Sequence, residues 1–264
     1  MMSSRDKWTS GDAYQRFMGR WSPRLAELFV PWLNIPPGST WLDVGCGTGA
    51  LSRTILALAA PSRLLGVDPS EAFIEFAGEK TNDPKAEFKV GSAQDLPVED
   101  ESFDAAASSL VLNFLPDPAA ALEEIKRAVR PGRMIGAYVW DYADGMRMLR
   151  IFWDAAIALD PAAADLDEGV RFPLCNPRSL AKLFDSAVLH RVETFALEFT
   201  MQFSDFEDYW QPFTGVQGPA PGYLAKLPPE KQEALREEVR GRLPANADGS
   251  ISLGARAWAV KGLK

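Results

Sequence analysis

The sequence predicts an α/β fold in which a mostly parallel sheet alternates with helices. Short apolar runs at 41–44, 64–67 and 105–112 are typical of buried strands, and apolar residues at helical spacing fill the stretches between them. The first run ends in a glycine-rich turn and the second ends in an acid. Ligands of open α/β sheets bind outside the carboxyl ends of the strands. These two strand ends are therefore where we expect the functional site.

The turn after the first strand has a glycine pattern that fits two classes of ligand. Gly45, Gly47 and Ala50 satisfy the dinucleotide pattern G-x-G-x-x-G/A, so a nicotinamide or flavin cofactor is allowed. The fuller pattern adds Gly49 and places Asp43 at the strand end. A carboxylate there would repel a pyrophosphate but would suit a cationic amino group. The pattern therefore favours a cofactor that carries a positive charge.

The run from Asp43 to Gly49 resembles motif I of the class I S-adenosylmethionine-dependent methyltransferases, and the resemblance extends from Trp41 to Tyr138. It implies a Rossmann-like seven-stranded, mostly parallel sheet in the order 3-2-1-4-5-7-6, with strand 7 antiparallel. Helices are expected on both faces, together with a helical cap. The Ser109…Asn113 spacing is reminiscent of quinone C-methyltransferases, which points to the type-11, small-molecule branch of the family.

The segment before the first strand combines many aromatic residues with one predicted helix. Leu25, Leu28, Phe29 and Trp32 follow the i, i+3, i+4, i+7 pattern of a helix that packs on the sheet. Tyr14 and Trp21 belong to a stretch that resembles the N-terminal cover of small-molecule methyltransferases. In that cover an arginine can pair with the cofactor's carboxylate, so Arg20 is either such a ligand or an ordinary surface charge.

The second and third strands carry the next predicted contacts. Asp68 ends the strand Leu64–Val67, 19 residues after Gly49, where an acid of a nucleoside-binding fold accepts hydrogen bonds from ribose hydroxyls. Alternatively, Asp68 is only the N-cap of the following helix. After the strand Glu87–Val90, the loop 92–94 resembles the family's adenine-contacting loop. The family often has Asp where this chain has Ser92.

The fourth strand, Ala105–Leu112, is apolar on both faces and is therefore predicted to be central. Its end resembles motif IV but lacks the Asn/Asp-Pro-Pro-Tyr sequence of nucleic-acid amino methyltransferases, which makes base methylation less favoured. The fifth strand, Met134–Trp140, is expected to end with aromatic residues facing the cofactor pocket. Tyr138 and Trp140 could bind an apolar acceptor, lie over a sulfonium ion, or simply pack under a cap.

The remaining residues predict a helical cap and two closing strands. Ser204-x-x-Glu207 is a capping-box pattern that predicts a helix start. The alternating segments Val188–Met201 and Ser252–Lys261 predict strands six and seven, with His190 as a structural histidine. The predicted organisation is an N-terminal cover arm and helix (1–38), a cofactor-binding core (39–142), a helical cap (143–187 and 204–250), and terminal strands of the sheet (188–203 and 251–264).

Composition narrows the possible partners. The net charge of −8 disfavours a nucleic-acid partner, because such binders usually carry a basic surface. No apolar run reaches the roughly 18 residues that a membrane span needs, and residues 1–10 lack a signal-peptide core. We therefore expect no membrane association and a cytoplasmic location. Cys46, Cys175 and His190 are too few for a disulfide framework or a structural metal site.

Together, these patterns predict an enzyme that transfers a methyl group from S-adenosylmethionine to a small, partly apolar acceptor, acts as a monomer or homodimer, and releases S-adenosylhomocysteine. The alternatives are an NAD(P)-dependent oxidoreductase and a protein that binds S-adenosylmethionine without catalysis. No side chain is assigned as the catalytic base. The predicted cofactor-binding residues are Arg20, Asp43, Gly45, Cys46, Gly47, Gly49, Asp68, Pro69, Ser92, Ala93, Gln94 and Ser109. The predicted substrate-pocket residues are Tyr14, Trp21, Asn113, Tyr138 and Trp140.

Overall fold

The computed structural model describes residues 18–215 and 218–264. Within them, one sheet has the strand order β3-β2-β1-β4-β5-β7-β6. Strands β1 to β5 are mutually parallel, and β7 runs antiparallel to both β5 and β6. This arrangement confirms the predicted Rossmann-like fold. The strands are β1 (Thr40–Val44), β2 (Arg63–Asp68), β3 (Ala86–Val90), β4 (Phe103–Ser109), β5 (Val129–Trp140), β6 (His190–Phe203) and β7 (Ile251–Leu263).

Helices connect the strands and extend beyond the sheet. The described helices are α1 (Ser22–Leu33), α2 (Ala50–Leu58), α3 (Glu71–Lys80), α4 (Pro118–Ala128), α5 (Arg147–Leu159), α6 (Glu168–Arg171), α7 (Pro177–Ser186), α8 (Phe206–Trp210), α9 (Pro219–Leu224) and α10 (Pro229–Arg242). Short 3-10 helices lie at Leu112–Phe114, Pro161–Leu166 and Gln211–Thr214. Between β5 and β6 and between β6 and β7, the chain therefore forms the helical segments expected of a cap.

The centre of the sheet is buried because its strands carry apolar side chains on both faces. In β1, Trp41, Leu42 and Val44 have no exposed surface, and three consecutive alanines of β4 pair with Trp41, Leu42 and Asp43. The parallel register aligns Val44 of β1 with Val67 of β2. The residues that follow these two positions therefore emerge side by side at the same edge of the sheet.

Several local predictions were wrong. The fourth strand ends at Ser109 and not at Leu112, because Leu110 has a left-handed backbone with φ of 60° and the chain then turns into a 3-10 helix. The fifth strand begins at Val129 and not at the predicted Met134. Leu28, predicted to belong to the buried stripe of α1, is exposed. The buried face of α1 is instead formed by Leu25, Ala26, Phe29, Val30 and Leu33.

The capping box predicted at Ser204 is also wrong. Helix α8 begins one residue later, with Asp205 as its N-cap. The Asp205 carboxylate accepts a hydrogen bond from the backbone N–H of Asp208 at 2.9 Å. Both Ser204 and Asp205 have an acid three residues further along, so the sequence pattern alone could not choose between them.

Candidate active site

A cleft of about 250 Å³ lies at the carboxyl ends of β1, β2, β4 and β5. It is mainly apolar, with backbone and polar groups concentrated around the loops that follow β1 to β3. Its described lining consists of Met18, Ser22, Gly45, Cys46, Gly47, Thr48, Ala50, Asp68, Pro69, Ser70, Phe73, Ser92, Ala93, Gln94, Ser109, Leu110, Val111, Phe114, Leu115, Pro116, Trp140 and Tyr142. Apolar lining with a few convergent polar groups is typical of a small-molecule site.

The glycine loop after β1 is held by neighbouring backbone. The N–H groups of Gly45 and Cys46 both donate to the carbonyl of Val67, at 2.7 and 3.0 Å. Gly45 has φ of 71°, and a Cβ at this position would come within 2.4 Å of the Val111 side chain. Glycine is therefore required at position 45 for conformation and for space. The close packing sets the loop against the end of β4.

Gly47 differs from Gly45 because its missing side chain faces open space. Its φ is 51°, and a Cβ built there would have no heavy atom within 4 Å. Gly47 lines the cleft, so this open space lies where a ligand can approach the backbone directly. Gly49 is instead the N-cap residue of α2, and a Cβ there would approach the Ala77 side chain at 3.2 Å.

Asp68, at the end of β2, connects the two loops at the mouth of the cleft. One carboxylate oxygen accepts the N–H of Gly47 at 3.0 Å, and the other accepts the N–H of Ser70 at 2.9 Å. Burial raises the pKa of this acid, while the two backbone hydrogen bonds oppose that rise. Asp68 is not the helix N-cap, because Ser70 caps α3 through a hydrogen bond from Phe73.

Asp43 lies behind the glycine loop and does not line the cleft. Its side chain has no exposed surface, and the Ser52 hydroxyl donates to it at 2.6 Å. The other oxygen, Oδ1, has no hydrogen-bond partner among the described residues. The pKa of Asp43 is raised to about 7, because burial raises it strongly and the charge of Asp68 adds to the rise, while the bond from Ser52 partly opposes it. The Asp43 carboxylate therefore lies beneath the glycine loop, where its ionised form contributes negative charge. It does not form a wall of the cleft.

Cys46 lines the cleft but is unsuited to nucleophilic chemistry. Burial raises the pKa of its thiol well above the ordinary value, and the negative charges of Asp43 and Asp68 add to that effect. A thiol that stays protonated is a poor nucleophile. We therefore interpret Cys46 as a small side chain that fits the loop.

The loop after β3 and the end of β4 complete the polar part of the cleft. Ser92, Ala93 and Gln94 all line it, as predicted from the sequence, and so does Ser109. The Ser92 hydroxyl accepts the backbone N–H of Gln94 at 3.2 Å. This bond stabilises the turn that follows β3.

Aromatic and aliphatic side chains form the opposite part of the cleft. Phe114, Trp140 and Tyr142 line it, together with Met18 from the segment that precedes α1. Phe172 packs on two of these rings from outside, with centroid distances of 5.0 Å to Phe114 and 5.5 Å to Tyr142. The cap therefore supports this apolar wall.

Three residues predicted for the site lie elsewhere. Tyr138 is buried in the core, with its ring 4.8 Å from that of Phe29. Trp21 packs against Phe203 at 5.4 Å. Arg20 forms an ion pair with Asp208 at 2.7 Å and does not line the cleft.

Tyr14 and Asn113 were also predicted to belong to the substrate pocket. Tyr14 lies outside the described residues. Asn113 is located between Leu112 and Phe114 in the 3-10 helix, next to the cleft lining but not part of it. Its amide nitrogen is buried and has no hydrogen-bond partner among the described residues. Asn113 is thus a buried donor beside the apolar wall.

Several residues line the cleft that the sequence patterns did not predict. Val111 lies within the predicted extent of the fourth strand, and Phe73 belongs to α3. The sequence contains a signal for Val111, since a bulky residue shortly after a strand end commonly faces the ligand edge. Thr48 and Ser70, inside the two predicted loops, could have been included on the same ground.

No group of three or more metal-binding side chains occurs within 18–215 and 218–264. None of the helices described is both long and apolar enough to span a bilayer.

Comparisons with known proteins identify a domain in the middle of the chain. Residues 42–135 match the family described as methyltransferase domain. The 2-methyl-6-phytyl-1,4-hydroquinone methyltransferase of Synechocystis sp. is 36% identical over 125 residues, which are 47% of this chain and 39% of the relative. The demethylmenaquinone methyltransferase of Staphylococcus saprophyticus is 36% identical over 105 residues, 39% of this chain and 45% of the relative. The chain thus spans less than half the length of these curated relatives.

A solved structure resembles the chain over most of its length. Phosphoethanolamine N-methyltransferase 2 of Haemonchus contortus, in complex with S-adenosyl-L-methionine, aligns with a TM-score of 0.59 and 18% identity. The alignment covers 96% of this chain and 56% of that chain. At this identity the similarity shows a shared fold.

Proposed function

Because the chain carries a class I S-adenosylmethionine-dependent methyltransferase domain of the type-11 branch, we propose that it transfers a methyl group from S-adenosylmethionine to a small, partly apolar acceptor. One observation carries this proposal. A single cleft joins a glycine loop with bare backbone, an acid at the end of β2, and a wall of aromatic side chains. The first two features suit an adenosyl cofactor, and the third suits an apolar acceptor.

The residues of the cleft fit this cofactor. The open space at Gly47 admits the cofactor chain next to the backbone. We propose that Asp68 accepts hydrogen bonds from the ribose hydroxyls and that the loop 92–94 contacts the adenine. The buried carboxylate of Asp43 supplies negative charge beneath the end that carries the cationic amino group. Arg20 has no role in this assignment, because Asp208 already pairs with it.

When bound, the cofactor supplies an electrophilic methyl group for in-line displacement. The task of this chain is then to align the acceptor and to exclude water. Holding two reacting atoms in a productive geometry lowers a barrier by roughly 7–11 kcal/mol. We propose that Phe114, Trp140 and Tyr142 hold the acceptor's apolar part, and that Met18 helps to cover it.

The cleft offers no strong general base among its described lining residues. Asp68 is already bound by two backbone N–H groups, and Cys46 holds its proton. His190 is exposed on the edge strand β6. We therefore propose that positioning accounts for catalysis and that the acceptor attacks through an uncharged carbon or nitrogen that needs no base.

The acceptor is proposed to be uncharged, because cap arginines do not line the described cleft. Arg150 is buried in an ion pair with Asp167 at 2.6 Å, and Arg171 lies over the Phe172 ring at 5.2 Å. A carboxylate or phosphate in the cleft would face Asp68, and the described lining contains no lysine or arginine side chain.

The domain organisation follows from the same proposal. We propose that residues 39–142 bind the cofactor, that residues 1–38 and the segments 143–187 and 204–250 cover the acceptor, and that residues 188–203 and 251–264 close the sheet.

A screen for acceptor-dependent release of S-adenosylhomocysteine tests the proposal. The purified protein would be incubated with S-adenosylmethionine and with matched pairs of acceptors, one neutral and one carrying a carboxylate. We expect turnover of neutral aromatic acceptors and at least tenfold slower turnover of their anionic partners. Cofactor binding without turnover of any acceptor would favour a non-catalytic binding protein. Faster turnover of the anionic acceptors would contradict the proposed acceptor class.

A further inference from the structure

We propose that Ser52 is a positioning residue of the cofactor site, whose hydroxyl keeps the carboxylate of Asp43 ionised and fixed behind the glycine loop. This inference rests on the proposed cofactor, because its consequence is the affinity for a ligand with a cationic amino group. It adds a residue that neither the glycine motif nor the cleft lining identifies.

Ser52 and Asp43 form a short, fully buried hydrogen bond. Ser52 is the third residue of α2, and its Oγ lies 2.6 Å from Oδ2 of Asp43. Neither residue has exposed surface. An O–H···O distance of this length is typical of a hydrogen bond to an ionised acceptor. Since Oδ1 of Asp43 has no partner among the described residues, the Ser52 hydroxyl is the only side chain that they provide to this carboxylate.

The described residues around Asp43 provide no positive charge that would stabilise its carboxylate. The titratable group that acts on it is Asp68, at the end of β2, which is an acid and not a cation. The strand neighbours of Asp43 are Gly66 in β2 and Ala107 in β4, which carry no charge. Ser52 is therefore the main group that opposes protonation of this buried acid.

The direction of each effect follows from these contacts. Burial and the charge of Asp68 raise the pKa of Asp43, whereas the hydroxyl and backbone of Ser52 lower it, and the result is about 7. Replacing Ser52 with alanine removes the hydroxyl and keeps the backbone contact. The pKa of Asp43 should then rise further, so that less of the carboxylate is ionised at neutral pH.

The affinity for a ligand with a protonated amino group should depend on how much of the Asp43 carboxylate is ionised. The amino group stays protonated between pH 5.5 and 8.5, so the acid is the group that titrates. In the wild-type protein, affinity for S-adenosylhomocysteine should fall as the pH decreases through about 7. In Ser52→Ala the midpoint of this fall should move upward by about one pH unit, the scale of a hydrogen bond to a charged group. At pH 7 this variant should bind about three- to tenfold more weakly.

The controls separate the hydroxyl's effect from a general disturbance of α2. Thr54→Ala removes a buried hydroxyl from the same helix, one that bonds the Ala50 carbonyl at 3.0 Å and does not touch Asp43. Its midpoint should equal that of the wild-type protein. Ser52→Thr keeps the hydroxyl and should restore the wild-type midpoint. Ser52→Cys, which fills the same space with a weak donor, should give the upward shift of the alanine variant.

A second measurement needs no ligand. The free energy of unfolding in urea would be measured from pH 5 to pH 9 for the unliganded wild-type and Ser52→Ala proteins. A buried acid with a raised pKa loses stability as the pH rises through that pKa. The decline should therefore extend to higher pH in Ser52→Ala, and Asp43→Asn should lack this component.

The results of these measurements separate the proposed role of Ser52 from the proposed function of the protein. Binding by both proteins with the same midpoint would overturn the role of Ser52 and leave the proposed function intact. An equal shift in Thr54→Ala would also overturn it, since the effect would then belong to the helix as a whole. No binding of S-adenosylhomocysteine by the wild-type protein at any pH would overturn the proposed function, and the inference with it.

Discussion

The carboxylate of Asp68 accepts a hydrogen bond from the backbone N–H of Gly47 at 3.0 Å. The acid that ends β2 thereby fixes the glycine loop that follows β1. A single side chain thus joins the two strand ends between which the cofactor is proposed to lie.

Replacing Asp68 with alanine should weaken binding of S-adenosylhomocysteine by roughly 10- to 150-fold. This corresponds to about 1.5–3 kcal/mol, the scale of one hydrogen bond to a charged group. Calorimetric titration measures the change. Asp95→Ala, which removes an exposed acid near the same rim, is the matched control and should bind within twofold of the wild-type protein. Equal affinity of folded Asp68→Ala and wild-type protein would contradict the ribose assignment.

Replacing Gly47 with alanine should weaken cofactor binding by more than about tenfold without unfolding the protein. The new methyl group would occupy the open space of the cleft, while its φ of 51° costs roughly 1–2 kcal/mol of stability. Gly249→Ala is the matched control, since Gly249 also has a positive φ, 85°, and no atom within 4 Å of a built Cβ. Thermal unfolding should show a similar loss for both variants, and only Gly47→Ala should lose affinity. Comparable affinity in the two variants would contradict the proposed path of the ligand.

Replacing Asn113 with alanine should raise the KM for an acceptor found in the screen by about two- to tenfold. The amide nitrogen of Asn113 has no hydrogen-bond partner among the described residues, so it can donate to an acceptor oxygen. The Kd for S-adenosylhomocysteine should stay within twofold. Asn246→Ala, in a turn near the start of β7, controls for loss of an amide elsewhere. An unchanged KM together with a weaker cofactor Kd would place Asn113 on the cofactor side.

The stability of the protein should depend on pH through a buried acid in the cap. Burial raises the pKa of Glu168 to about 7, and the indole N–H of Trp153 donates to its carboxylate. An acid whose folded-state pKa exceeds its unfolded value favours the folded state most at low pH. The resulting stability is lost as the pH rises through about 7. The loss should amount to roughly 3 kcal/mol between pH 4 and pH 8.

Urea unfolding of Glu168→Gln checks this expectation. The amide keeps an acceptor for Trp153 but cannot ionise, so this variant should gain stability relative to the wild-type protein as the pH rises from 5 to 8. Glu230→Gln, at an exposed position in α10, should follow the wild-type pH dependence. Parallel curves for the wild-type protein and Glu168→Gln would show that Glu168 does not titrate in this range.

The glycine loop and Asp68 could be predicted from sequence because their geometry is local. A strand, a turn with glycines at fixed positions and a helix follow one another within a few residues, and parallel pairing brings the next strand end alongside. The sheet order came from family resemblance, because the residues themselves do not specify which strands become neighbours.

Other site residues depended on contacts between distant parts of the chain. Arg20 is paired with Asp208, which lies 188 residues away, and no local pattern reveals that partner. Tyr138 and Trp140 lie on the same face of β5, since side chains alternate along a strand. Only Trp140, at the strand end, reaches the cleft, whereas Tyr138 packs against Phe29. The alternation of side chains predicted correctly that both residues share one face of β5. It did not predict which of them lies at the cleft and which lies in the core.

Helical spacing alone also did not determine which face of α1 is buried. The pattern that includes Leu28 and the observed face that includes Ala26 and Leu33 both satisfy helical spacing. The observed face is the one that packs against the sheet, where Leu33 and Phe29 approach Gly136 of β5. Which face is buried was thus decided by tertiary packing.

Parallel calorimetric titration with S-adenosylhomocysteine, S-adenosylmethionine and NADH tests the central claim most directly. The open backbone at Gly47, the carboxylate of Asp68 and the buried charge of Asp43 predict binding of both adenosyl compounds at micromolar concentrations and no binding of NADH. Binding of NADH alone would contradict the claim, because it would mean that the glycine loop receives a pyrophosphate.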